Sequence, residues 1–381
     1  MKYRNLLFIF LLSVFASCSK DPELEPDTPP STFKVRIDNV IHETYFDSYP
    51  QGPSLFVPYL VMSGLPEGEK LLAFGGYYSP ENPNPDGSDY TFIHDCADDE
   101  LIQGWDWTQE LIYSAGWIDL PIPGKTYYFK GVVRTNKAVY YSNTVTINTD
   151  GLPGYTPGPQ DRVLPVVFHV MPRKDGTYPH PYFFDEMLAC ANRLYRNVWP
   201  LPGLADAGIR FVPATHAPDG TALSTPGIHY LDERYELDLD ISNEELRQWV
   251  GDNLWEMTEV INVWVSPFIN DHIVSEDTST AGFTFLPYFA PEEMLQGCNT
   301  AVPGCFSGIF LNQEIVGNGY CNSGIAVFAH EAGHYLGLDH VFEEDWCDDT
   351  PQYDRARYRT EQYIPGIDTY LRYPIDASAE P

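Results

Sequence analysis

Basic residues are scarce in this chain: 22 Lys and Arg stand against 54 Asp and Glu, a formal net charge of −32. A surface so negative excludes binding to nucleic acid, or to an anionic membrane surface, through bulk charge. No hydrophobic run is long enough for an ordinary membrane-spanning helix; the longest, Leu6 to Ala16, has eleven residues. No C-x-x-C pair occurs among the seven cysteines, which argues against a zinc ribbon. Methionine is sparse as well, and none of the six lies beyond Met294. Apolar residues, by contrast, make up 43% of the 381 residues, enough for real cores and more chain than one ordinary domain needs.

The N-terminus reads as a targeting segment. Lys2 and Arg4 precede the short apolar run, which ends in Phe15-Ala16-Ser17-Cys18. This resembles a bacterial lipobox, with Phe15 where Leu is commoner. It implies a lipoprotein signal over residues 1–17, lipidation at Cys18 and a flexible acidic tether over 18–32. The expected location is the outer membrane or cell surface, with membrane contact only through the lipid anchor. The plain alternative is a secretory signal, and both readings export the chain. The six remaining cysteines, Cys96, Cys190, Cys298, Cys305, Cys321 and Cys347, are then candidates for disulfides; Cys298 and Cys305, seven apart across a Pro-Gly turn, are the first pair expected.

From Phe33 the pattern is β-like. Phe33, Val35 and Ile37 alternate with polar residues, and short runs follow at Leu55–Met62, Leu71–Tyr78, Thr126–Val133 and Tyr140–Ile147. The spacing predicts an all-β sandwich over residues 33–150, and its last hairpin resembles that of immunoglobulin or fibronectin III-like modules. His42, His94 and Cys96 there read as packing or surface residues; a zinc-capping role for Cys96 is the functional alternative. A Gly- and Pro-rich linker covers 151–163. Strands and helices then alternate. Leu164–Val170, Ile209–Val212, Val260–Val265 and Gly308–Val316 read as strands. Phe184–Trp199, Ser242–Trp255 (with a Ser242/Glu245 capping box) and Ser323–Leu336 read as helices. The fold class expected is mixed α/β, one sheet with helices packed on it, over 164–381.

The chemistry is concentrated in His330-Glu331-Ala332-Gly333-His334-Tyr335-Leu336-Gly337-Leu338-Asp339-His340. Helical residues four apart share a face, so His330 and His334 can present imidazoles to one metal. Gly337 can take positive φ and end the helix, bringing His340 back to the same point. Three neutral nitrogens leave a fourth position open, as a catalytic zinc requires. Glu331 sits beside the ligand face without being needed as a ligand. The expected reaction is peptide hydrolysis by metal-activated water with Glu331 as general base.

This eleven-residue motif identifies the chain as a member of the metzincin zinc metalloproteases. Its surroundings resemble the pappalysin branch, in particular zinc-dependent metalloprotease lipoproteins of bacteria. The matching stretches run in order as LPVVFHV, the Asp185–Trp199 helix, AGIRFVPA, INVWVSPF, AGFTFLP, GIFLNQEIVG, AVFAHEAGHYLGLDHVF, then Cys347 and Asp349-Thr350-Pro351. The resemblance implies an α/β (α+β) metzincin-like catalytic domain with a mixed sheet and an active-site helix. It also implies one catalytic zinc on His330, His334 and His340, with Glu331 catalytic. Val341 after the third histidine speaks against the astacin branch. Structural calcium is common in such proteins, and the acidic run Glu343, Glu344, Asp345, Asp348 and Asp349 is the candidate, with a solvated loop as the plainer reading. Metzincins place a methionine turn C-terminal to the motif; none follows His340, so the chain is expected to be C-terminally short. The function expected is a monomeric endopeptidase acting on extracellular proteins or peptides. The alternative is a catalytically impaired or truncated surface lipoprotein that serves as a binding module.

Overall fold

The computed structural model describes residues 32–44, 54–199, 205–269, 280–284, 308–314, 316 and 322–338. The N-terminal part forms two antiparallel sheets. One joins β1 (Lys34–Thr44), β2 (Ser54–Ser63), β5 (Leu111–Ser114) and β6 (Ile118–Asp119), with β2 in the middle. The other runs in the order β4 (Tyr90–Asp95), β3 (Leu71–Ser79), β7 (Thr126–Thr135), β8 (Val139–Asn148). Their inner faces share a core in which Leu60 and Met62 meet Phe74, Phe129 and Val133. In β7 the period-two pattern slips between Lys130 and Val132. Gly131 sits at that slip, and a Cβ there would stand 2.4 Å from Leu60 Cδ1. Only a glycine lets the two sheets come so close. Between β4 and β5 lies a one-turn helix, α1 (Glu100–Gln103), capped by Asp99.

The second part is one six-stranded sheet. Its order is β10 (Ile209–Pro213), β9 (Arg162–Val170), β13 (Ile261–Ser266), β16 (Ile309–Asn312), β15 (Gly282–Thr284), with β11 (Ile228–Tyr230) added beside the end of β9. All pairings are parallel except β15 with β16. Every residue of β13 is buried, as its continuous apolar sequence requires of a strand covered on both faces. Successive side chains divide between the two sides. Val263 and Val265 join the core beneath helices α2 (Pro181–Tyr195) and α4 (Asn322–Tyr335), while Trp264 packs with Leu246 and Val250 of α3 (Asn243–Val250). A small pair, β12 (Leu237–Asp238) and β14 (Phe268–Ile269), flanks that second side.

Helix boundaries follow local chemistry. α3 begins at the expected capping box, with the Glu245 amide donating to Ser242 Oγ at 3.3 Å and the Ser242 amide to Glu245 Oε2 at 3.1 Å. It ends at Val250 instead of reaching Trp255, because Gly251 takes φ +46°. α2 starts earlier than its apolar stripe suggested, with Pro181 at its first turn, and ends at Tyr195 before Asn197 at φ +45°.

Among the described residues, the two parts share buried contacts made through α2. Tyr127 on β7 donates to Glu186 Oε1 at 2.5 Å, and Tyr182 donates to Asp89 Oδ1 at 2.9 Å. The Arg193 guanidinium donates to the carbonyls of Pro121, at 2.8 Å, and Leu120. Leu120 itself holds φ +46°, a conformation that costs a non-glycine residue and that the arginine clamps. The Tyr90 ring stands edge-on to Phe183 at 4.3 Å.

Candidate active site

α4 lies against the sheet and α2 by one apolar face. Ile325, Phe328, Ala329 and Ala332 are buried, and Phe328 meets Phe168 and Phe211. Behind it, the Tyr195 hydroxyl donates to the Ala329 carbonyl at 3.1 Å. Gly333 keeps that approach open, since a Cβ there would come within 3.3 Å of the same hydroxyl. The back face thereby fixes what the front face presents.

On the front face His330 and His334 stand one turn apart, with Nε2 atoms separated by 3.1 Å. His334 Nδ1 lies 2.7 Å from the Leu338 carbonyl. A carbonyl can only accept, so Nδ1 carries the proton and Nε2 of a neutral His334 is left with its lone pair toward His330. The local sequence produces this. Gly337 takes φ +101°, the Leu338 amide bonds back to Gly333 O at 2.9 Å, and the reversal lays the Leu338 carbonyl over the imidazole. Two zinc–nitrogen bonds of about 2.0–2.1 Å at a tetrahedral angle would put the nitrogens roughly 3.3 Å apart. The observed 3.1 Å therefore fits a shared metal.

Glu331 turns the other way and is buried, 5% exposed. Burial pushes its carboxyl up to about 7; the Thr284 hydroxyl and the His334 imidazole oppose that rise. Its Oε2 is fully enclosed and, like Thr284 Oγ1, short of hydrogen-bond geometry with any partner. The edge strand β15 presses on this side chain: a Cβ on Gly282 would lie 3.1 Å from Glu331 Cγ and 2.8 Å from the Phe310 carbonyl. A buried carboxyl with a free oxygen, beside two converging imidazole nitrogens, can take up and return a proton.

Of the residues expected from sequence, the structure brings together His330, His334 and Glu331. His340, Cys18, the acidic run 343–349, and Cys298, Cys305, Cys321 and Cys347 lie outside the described residues. Among the described residues no group of three or more His, Cys, Asp or Glu side chains is gathered for a metal. Cys96 and Cys190, expected as disulfide candidates, are instead free and buried. Burial, helped by Asp95 and Asp99, pushes the Cys96 thiol up to about 12, and Cys96 sits in the core of the N-terminal part as a packing residue. His42 stacks on Phe56 and His94 packs against Phe74, so both are packing residues. Gly282, Thr284 and Tyr195 are the neighbours that sequence reasoning missed. The small-residue alternation Gly282-x-Thr284 was the available signal, since a strand glycine marks close approach.

The family model of peptidase M43, Pregnancy-associated plasma protein-A, matches residues 244–365. No curated protein matches the sequence. Among solved structures, a promirolysin mutant from Tannerella forsythia is 19% identical, covering 51% of this chain and 61% of its own, with a TM-score of 0.38. A DUF3823 family protein from Bacteroides ovatus is 15% identical, covering 31% of this chain and 56% of its own, with a TM-score of 0.22. The chain thus spans 61% of the promirolysin chain it matches. Residues 244–365, the segment that holds the paired imidazoles and the buried glutamate, are thus similar to the pappalysin family of peptidases.

Proposed function

We propose that this chain is a zinc-dependent endopeptidase acting on extracellular proteins or peptides. The observation that carries the reading is the 3.1 Å convergence of His330 and His334 Nε2 beside the buried Glu331. His330 and His334, with His340, would hold the ion, and when bound it supplies a Lewis acid that polarises a peptide carbonyl and acidifies water. Glu331 takes the proton of the attacking water and delivers it to the amine nitrogen as the C–N bond breaks. His334 keeps its Nδ1 proton on the Leu338 carbonyl, which fixes the tautomer that can ligate. β15 closes one end of the sheet beside Glu331, and an extended peptide is the substrate shape that such a strand would align.

The finer assignments belong to the same reading. The N-terminal sheets serve as an immunoglobulin/fibronectin III-like sandwich, and Cys18 anchors a monomeric chain to the outer membrane or cell surface by lipid. Among the described residues no helix is long and apolar enough to cross a membrane.

The test is zinc per mole in the purified chain, with cleavage of a denatured protein measured with and without a chelator. One zinc, chelator-sensitive cleavage, and a loss of about 10²–10⁴-fold in Glu331→Gln with zinc retained are expected. Full turnover in Glu331→Gln would sink the mechanism.

A further inference from the structure

We infer that Thr284 is a positioning residue for Glu331, its hydroxyl holding one oxygen of the buried carboxyl from the edge strand of the sheet. The inference rests on the protease reading above and adds a residue to that site.

Strand geometry places it there. Gly282 and Thr284 are two apart on β15 and so share a face. That face meets α4, because a Cβ on Gly282 would stand 3.0 Å from Val327 Cγ1 and 3.1 Å from Glu331 Cγ. Glycine at 282 lets the strand close on the helix, and the next side chain on the same face is Thr284.

An account of the polar atoms leads to the same pair. Thr284 Oγ1 and Glu331 Oε2 are both buried, and neither has another hydrogen-bond partner. The Thr284 hydroxyl lies within reach of this carboxyl. A buried polar group left alone costs about 1–3 kcal/mol, so pairing these two atoms relieves both.

The chemistry asks for a hydroxyl. Glu331 must alternate between carboxylate and acid, taking a proton from water and passing it to the leaving nitrogen. A threonine hydroxyl donates to the first form and accepts from the second, so it holds the side chain through both. Valine has the same shape and can do neither.

Thr284→Val and Thr284→Ser in the full chain test this. With Thr284→Val, zinc content and KM should be unchanged while kcat falls by about 10- to 100-fold, the worth of a hydrogen bond to a charged group. Thr284→Ser should restore most of kcat, a rescue that mere filling of space would not give. Wild-type kcat in Thr284→Val overturns the inference. A readout independent of turnover is the cycle of unfolding midpoints for Thr284→Val, Glu331→Gln and the double variant. Coupled midpoints support the contact, and additive ones overturn it. A chain that cleaves nothing while the midpoints stay coupled would overturn the protease reading alone.

Discussion

Glu186 offers the sharpest quantitative test of how the two parts of the molecule are joined. It is 3% exposed, accepts from Tyr127 at 2.5 Å, and has a second oxygen with no hydrogen-bond partner. Burial raises its carboxyl from the ordinary 4.5 to about 7; Tyr127 and Tyr90, then Arg193 and Lys125, pull against that rise. The folded protein therefore holds this proton more tightly than the unfolded chain. Its contribution to stability is fully present below 4.5 and is lost as pH rises to about 7. At ~1.4 kcal/mol per pH unit, the full interval is worth about 3 kcal/mol. Glu186→Gln removes the ionisation and keeps an acceptor for Tyr127. Its unfolding free energy, measured in urea, should lie within about 1 kcal/mol of wild type near pH 5 and exceed it by about 3 kcal/mol near pH 8. A difference that stays flat between those conditions, or a wild type that is the more stable one in alkali, would refute the reasoning.

Other perturbations probe the site and the anchor. Gly337→Ala forces an alanine to φ +101°, costing about 1–2 kcal/mol; it should displace the Leu338 carbonyl from His334, and competition with a chromogenic chelator should show weaker zinc binding. Gly282→Ala should lower both the melting midpoint and kcat, since its methyl would meet the Phe310 carbonyl and Glu331; wild-type values in calorimetry and in a peptide assay would contradict the close approach. Cys18→Ser should move the protein from the membrane fraction to the soluble fraction, and unchanged partitioning on immunoblots would count against lipidation.

How much of this was legible in the sequence depended on whether the signal was local. The β9 and β13 strands stood out because a buried parallel strand is a continuous apolar run, and α4 because its motif fixes spacing along one helix. The capping box at Ser242 reports only on its own turn. By contrast, β15 is three residues long and gets its meaning from Glu331, 47 positions after Thr284. No periodicity within such a segment can announce that partner. The helix limits were misjudged where glycine or positive φ intervened, at Gly251 and Asn197, because the apolar stripe runs on past the point where the backbone stops. The cysteines misled for a related reason. Export makes disulfides plausible, but Cys96 and Cys190 are each enclosed by apolar neighbours of a separate part of the core.

The join at α2 changes what the N-terminal sheets are for. A mobile binding module needs a thin, polar contact with its neighbour, because independent motion requires that water take over whatever the contact releases. Here one apolar core runs from Phe74 and Phe129 through Phe183 and Met187 to Phe328 on α4. The polar groups along it, Glu186, Arg193 and the Tyr182–Asp89 pair, are enclosed and would be exposed or orphaned by separation. The opposite side of α2 carries Tyr195, which holds the Ala329 carbonyl one residue before His330. A force that tilts α2 away from the sheets must then also disturb the turn that aims the first imidazole. The N-terminal part therefore packs on the same helix that supports the turn before His330, so a change in its core is transmitted toward the paired imidazoles through α2.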